Sequence, residues 1–245
     1  MSKKNASPRG VNGARSPRVR HANRSTTGLR GMSTNAKLTV SLLAAVLVGL
    51  VSLFVYVERT GDETLSGAEL VTAENHRLSN ADDGKVTLVE FLDFECPSCR
   101  QVFPLAERLR AEYDGRITYV VRHFPLPSHR NAENAARAAE AAALQGRFEP
   151  MYLKLFENQQ AWGDAQDDRS ETFVDYARQI GLDVDRFRSD LAGTEVERRM
   201  RTDVAAAEAA GVTGTPTFFL NGERLSTPTS YQAFKDLIDQ ALAAR

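Results

Sequence analysis

The sequence predicts an α/β fold, and three stretches carry that prediction. Val86–Asp93 is β-branched, aromatic and mostly apolar, as a strand buried on both faces would be. Asn131–Gln145 is dominated by alanine, so helix propensity is strong mid-chain. Thr217–Leu220 returns to strand character and meets Asn221-Gly222, a two-residue hairpin signal, ahead of a final amphipathic helix.

Taken in order, the chain begins with a basic segment. Residues 1–37 hold nine Lys or Arg, no Asp or Glu, and very few aliphatic side chains. Such a segment buries too little surface to offset the entropy of ordering, so disorder is expected, with its charge drawn to an anionic inner leaflet. Leu38–Val57 follows without a single charge. Twenty residues at about 1.5 Å each match the roughly 30 Å of a hydrocarbon core. The basic block before it and Glu58, Arg59, Asp62 and Glu63 after it predict a transmembrane helix with the amino terminus in the cytoplasm and the rest outside. A cleaved signal would need a small-x-small site soon after the apolar run, and only Ser66-Gly67-Ala68 fits, far downstream. An uncleaved signal-anchor is the expectation.

Residues 58–84 read as a polar linker with one short edge strand near Glu69–Thr72, and the folded domain as 85–245. Residues 58–245 carry the other 22 basic and all 32 acidic side chains, a net of −10, which repels phosphates and excludes polynucleotide partners. Cys96 opens a helix running to about Tyr113, with Pro97 in its first turn, where a missing N–H costs nothing, and Pro104 inside it. Arg116–Phe124 is a second strand carrying Ile117, Tyr119 and Val121 on one face. Helices are then expected over Asn131–Gln145, Phe148–Asn158, Glu171–Ile180 capped by Ser170, Val184–Leu191 and Thr194–Ala210. Thr217–Leu220 and Glu223–Ser226 pair through the Asn-Gly turn, and Ser230 caps Tyr231–Ala244. A βαβ unit and a ββα unit would share one mixed sheet, with a helical insertion over about 128–210.

The chemistry concentrates in Cys96-Pro97-Ser98-Cys99, the only two cysteines of the chain. A thiolate, not a thiol, is the nucleophile in disulfide exchange. Cys96 at a helix amino terminus meets unpaired N–H groups and the positive end of the helix dipole, which lowers its pKa. Cys99, one turn further in, lies at disulfide reach and is expected to be buried, so Cys96 attacks and Cys99 resolves. Zinc would need four ligands; there is no second cysteine pair, and His123 and His129 fit no common zinc spacing. A structural disulfide closing so short a loop would remove little chain entropy. Pro216, directly before a strand and behind Thr215, marks an edge or a special turn; with a cis bond, the Thr215 backbone could pair with an extended peptide.

With Glu90, the Cys-Pro-Ser-Cys run, Pro104 and Thr215-Pro216 in place, the chain resembles the thioredoxin superfamily. The 117-residue step from Cys99 to Pro216, filled with helices, looks like the DsbA-type thiol:disulfide oxidoreductases, and Arg122–Leu126 and Asn131–Ala143 look like membrane-anchored bacterial members. The resemblance implies a thioredoxin fold with an inserted helical domain, preceded here by the transmembrane helix. It also implies an exposed nucleophile at Cys96, a buried partner at Cys99, a cis-proline at Pro216 packed on the pair, and a buried acid at Glu90 that takes the Cys99 proton. The alternative reading of Glu90 is a surface-facing strand glutamate. Ser98 supplies no positive charge, and Thr215 stands where the best-known oxidases of the family have valine.

Three functions follow as expectations. One is a membrane-anchored dithiol oxidase acting on unfolded, thiol-containing extracytoplasmic proteins, in a compartment that sustains disulfides. Another is an envelope reductase or isomerase; the third is a peptide-binding chaperone module whose cysteine pair is inert. No cofactor is expected, and a membrane redox partner is needed to recycle the pair.

Overall fold

The structure is a computed structural model, and it describes residues 33–60, 70–82 and 84–244. It divides into two units, residues 1–62 and 63–245. In the first, helix α1 spans Thr34–Thr60, and its described apolar side chains, such as Leu42 and Leu47, are exposed. Among the described residues, no helix is long and apolar enough to cross a membrane. In α1, side chains are described without interruption only over 38–52, and the end of the expected span, 53–57, lies beyond them. The segment expected to be disordered falls largely outside the described residues, as does 61–69 of the expected linker.

In the second unit a five-stranded sheet has the order β1-β3-β2-β4-β5. The strands are β1 (His76–Ser79), β2 (Thr87–Leu92), β3 (Thr118–His123), β4 (Thr217–Leu220) and β5 (Glu223–Arg224). β2 and β3 run parallel, joined by helix α2 (Pro97–Glu112); β1 is antiparallel to β3, and β4 antiparallel to both β2 and β5. The edge strand expected near Glu69–Thr72 lies instead at His76–Ser79, so the sheet begins inside the segment read as linker. His76, Arg77 and Ser79 pair with β3 around an irregularity at Leu78, a signal too short and too polar to stand out in the sequence.

Alternation sorts the central strands onto two faces. Leu88, Leu92, Tyr119, Val121, Phe218 and Leu220 belong to the larger core, while Val89, Phe91, Val120 and Phe219 join the smaller core on the opposite face. At the Asn221-Gly222 turn both φ values are positive, 53° and 90°, a conformation that glycine adopts without steric cost.

The helical insertion comprises α3 (Ala132–Ala143), α4 (Phe148–Glu157), α5 (Gln159–Trp162), α6 (Ser170–Gln179), α7 (Val184–Leu191) and α8 (Thr194–Ala209). α3 packs against α4, α6, α7 and α8, and Ala135, Ala138, Ala139, Ala141 and Ala142 are fully buried. Side chains this small let neighbouring helices approach on every side, so alanine here sets packing as well as propensity. Ser170 is the first residue of α6 rather than its cap; Asp168 Oδ1 accepts from the Ser170 N–H at 2.6 Å instead. α9 (Tyr231–Ala243), capped by Ser230, packs on α2.

A buried ion pair ties the insertion to the sheet. Asp203 of α8, wholly buried, accepts from Arg122 Nε at 2.9 Å and from the His123 N–H at 3.0 Å, while Arg122 also donates to the Leu70 carbonyl. Removing one partner of such a pair strands the other charge. Asp203→Ala is therefore expected to lower unfolding free energy by about 3–5 kcal/mol, read by urea denaturation. A loss under about 1 kcal/mol would show that the pair does not hold the two layers together.

Candidate active site

Strand β2 delivers the chain to the amino terminus of α2. Cys96 is the residue before the first helical turn, with extended φ and ψ of −65° and 123°, and Pro97 occupies the first helical position. Cys96 and Cys99 lie 3.9 Å apart, both as free thiols. Pro97 and Ser98 between them are exposed. The Thr215–Pro216 bond is cis, and the Cys96 thiol donates to the Thr215 carbonyl at 3.4 Å. The expected constellation is thus brought together, with one correction. Cys96, expected to be exposed, is only 5% exposed against 1% for Cys99, with Thr215 in contact with its sulfur.

The two sulfurs occupy unequal surroundings. As a thiol, Cys96 makes no cap hydrogen bond to the helix. As a thiolate it is favoured first by the Cys99 thiol, then, against the cost of burial, by Thr215 and the N–H groups of Cys99 and Ser98, and its pKa falls from 9.0 to about 5. The Thr215 hydroxyl is buried without a partner beside the neutral thiol; ionisation gives it an acceptor. Cys99 moves the opposite way, pushed well above 9.0 by burial first, then by Cys96 and the charge of Glu90.

Glu90 faces the core, not solvent. It shares its face of β2 with Leu88 and Leu92, is 3% exposed, and accepts a hydrogen bond from the Tyr119 hydroxyl. Burial raises its pKa from 4.5 to about 8; the Tyr119 bond opposes the rise, and the charges of Glu107 and Cys96 add to it. A carboxyl titrating near 8 beside a reluctant thiol can take or return a proton at neutral pH.

Several residues that hold this site carried no sequence signal. Asp93 Oδ1 accepts from the Glu95 N–H at 2.8 Å, and its Oδ2 meets the Leu126 N–H and His129 Nδ1, at 2.9 and 2.6 Å. Burial works to lower the His129 pKa, but Asp93 outweighs it and the net shift is upward, with the charge of Cys96 contributing; this places a favoured cation in reach of the sulfur's field despite Ser98. Gln159, buried in α5, donates to the carbonyls of Phe94 at 2.7 Å and Cys96 at 3.0 Å. Glu95 accepts from the N–H groups of Asn131 and Asp164. Polar residues of this kind are read as surface until the fold closes over them.

His76, His123 and Glu140 bring three potential metal-ligand atoms within 4.8 Å. Nε2 of His76 and of His123 lie 2.9 and 2.8 Å from the same Glu140 Oε1, and Arg199 Nε stands 3.8 Å from Oε2. Burial opposes ionisation of Glu140, yet His123 and then His76 hold it well below the usual carboxylate range. His123 Nδ1 is buried with no partner, so the second hydrogen bond that usually orients a ligating imidazole is missing. The group fits an ion-paired cluster better than a metal centre.

Because Glu90 is protonated in the folded chain up to about pH 8 and ionised above about 4.5 when unfolded, its burial costs stability as pH rises through that window. In the reduced protein, Glu90→Gln is expected to gain stability over the native chain between pH 5 and 8, by up to about 1.4 kcal/mol per pH unit. Equal denaturation midpoints at both pH values would contradict a buried, neutral Glu90.

A family model described as thioredoxin matches residues 74–240, from the edge of β1 into α9. Among solved structures, a thioredoxin-like oxidoreductase from Silicibacter pomeroyi is 28% identical, with TM-score 0.60, covering 75% of this chain and 99% of that one. α-DsbA1 of Wolbachia pipientis (18% identical, TM-score 0.64, 74% and 97% covered) and oxidised BdbD of Bacillus subtilis (22%, 0.61, 69% and 93%) share the fold. A curated relative named Na(+)/H(+) antiporter NhaA, from Herminiimonas arsenicoxydans, is 37% identical over 204 residues, 82% of this chain but 32% of the relative. The chain thus spans about a third of that relative's length, and the transport its name describes belongs to the whole of that protein. On the match over 74–240 and the fold that surrounds the cysteine pair, the chain belongs to the thioredoxin family.

Proposed function

We propose that the protein is a membrane-tethered dithiol oxidase that passes its Cys96–Cys99 disulfide to unfolded, thiol-containing proteins outside the cytoplasm. The observation that carries this reading is the split between the thiols, with Cys96 near 5 and Cys99 well above 9.0. A thiolate favoured in the reduced protein stabilises the dithiol form, so the disulfide is the readier donor of oxidising equivalents. A substrate thiolate attacks Cys96 Sγ, the Cys96–Cys99 bond breaks, and Cys99 leaves as a thiolate that takes a proton from Glu90. A second substrate thiolate then attacks the substrate sulfur of the mixed disulfide, closing the substrate disulfide and releasing Cys96. Half-buried Thr215 and Pro216, beside exposed Pro97 and Ser98, offer the surface on which an extended substrate segment would rest.

With one cysteine pair and no flavin or quinone motif, reoxidation falls to a partner, which the tether would place in the membrane. Support for the tether comes from the charge-free run 38–57, the basic block before it, and the exposed leucines and valines of α1.

The direction of electron flow is read by quenching cells in acid, alkylating free thiols and resolving the two states by mass, with the membrane pellet analysed separately. An oxidase is trapped mainly as disulfide in the membrane fraction. A chain trapped mainly as dithiol would overturn this reading in favour of a reductase. Undiminished function of Cys96→Ser in cells would remove exchange chemistry altogether.

A further inference from the structure

Glu90 can serve repeated exchange only if it recovers its protonation state each time, yet it is sealed from water. It is 3% exposed, Cys99 and Tyr119 are 1% exposed, and Leu88 and Leu92 flank it on β2. The Tyr119 hydroxyl bonds to Glu90 Oε2. Tyr152 of α4, also 1% exposed, lies close enough to Tyr119 for each to act on the other's ionisation, and its hydroxyl donates to Glu107 Oε1 at 3.3 Å. Glu107 is the point at which this row meets solvent: its side chain is 19% exposed on α2 and paired with Arg110 at 2.6 Å, and Arg110 reaches Glu149 at 2.7 Å.

The position of Tyr152 makes its hydroxyl conspicuous. The ring sits among Phe94, Phe103 and Phe156, with centroids 6.1, 5.6 and 5.3 Å away. A phenylalanine would fill that aromatic cluster, so the hydroxyl is accounted for by its bond to Glu107 and its place beside Tyr119.

We propose that Tyr119, Tyr152 and Glu107 form a proton path that connects buried Glu90 to solvent. This rests on the exchange chemistry above and adds a route to it. When Cys99 resolves a mixed disulfide, its thiol proton passes to the Glu90 carboxylate. Cys99 Sγ then attacks Cys96 Sγ, the Cys96–Cys99 bond forms, and the partner's sulfur departs as a thiolate carrying the electron pair. Glu90 next gives its proton to the Tyr119 oxygen as the Tyr119 proton moves to Tyr152 and the Tyr152 proton to Glu107, which releases it to water. Both hydroxyls end the transfer as hydroxyls, and reduction of the disulfide runs the row in reverse. Burial first, and then the charge of Glu90, push both tyrosines well above 10.0, so each oxygen gains a proton as it loses one and no phenolate is formed.

The test uses the reduced full chain mixed with oxidised glutathione, quenched in acid at successive times, with mixed disulfide and Cys96–Cys99 disulfide separated by mass from pH 5 to 9. Tyr152→Phe keeps the ring and breaks the path; it is expected to slow resolution by about tenfold or more, within the range general acid–base groups contribute. Cys96 alkylation rates and the melting curve should stay as in the native chain. Glu107→Gln, near the surface, should slow the same step, and the double variant should be no slower than Tyr152→Phe alone, because the two act in series. Native resolution rates and pH profile in either single variant, with Glu90→Gln slow, would overturn the path while leaving Glu90 its role. An unaffected Glu90→Gln would instead remove the chemistry on which the path rests. Should Tyr152→Phe fail to fold, Glu107→Gln decides by itself.

Discussion

Two sulfurs at the amino terminus of α2 share one helix end but not one environment, and the rest of the structure serves that inequality. Cys96 sits where helix N–H groups and the Cys99 thiol favour negative charge. Cys99, one turn deeper, is closed in by the sheet and has the charge of Glu90 against it. The low-pKa sulfur is the one that meets Thr215, while its partner stays protonated until a base takes the proton. A pair with equal surroundings would ionise together and lose the distinction between attacking and resolving groups.

Keeping the inequality requires a fixed loop. Residues 93–96 are held from the insertion side by Gln159, which grips the carbonyls of Phe94 and Cys96, and by Asn131 and Asp164, whose N–H groups donate to Glu95. Asp93 draws in Leu126 and His129 from the segment after β3. The helical insertion therefore does more than cover the sheet; it supplies the hydrogen bonds that set the backbone from which Cys96 projects. The Arg122–Asp203 pair anchors α8 to β3 on the smaller core's side, and Ala207 packs there against Phe91 and Val120.

The parts of this site that were legible in the sequence are those carried by local pattern. The run Val86–Asp93 into the Cys96 helix start and the Asn221-Gly222 turn read correctly because turn chemistry and strand alternation act over a few residues, whereas spacing alone made Pro216 an ordinary strand-start proline and only the family resemblance implied its cis bond. The orientation of Glu90 was open, since a glutamate on a strand faces solvent or core according to the pairing register; its alignment with Val121 and Phe218 decides the matter. Gln159, Glu95, Asn131 and Tyr152 were silent for a different reason. Their partners lie tens of residues away, and only the closing of the insertion onto the sheet joins them. β1 was misplaced by several residues because a four-residue edge strand in polar sequence has almost no periodicity to detect.

The exchange chemistry proposed for this site requires that Cys96 ionise ahead of Cys99. The most direct test is a 13C titration of both cysteine Cβ atoms in the reduced full chain. The account predicts that Cys96 titrates with a midpoint near 5 while Cys99 stays neutral to well above 9.0. Both resonances moving together near 9.0, or Cys99 moving first, would contradict it.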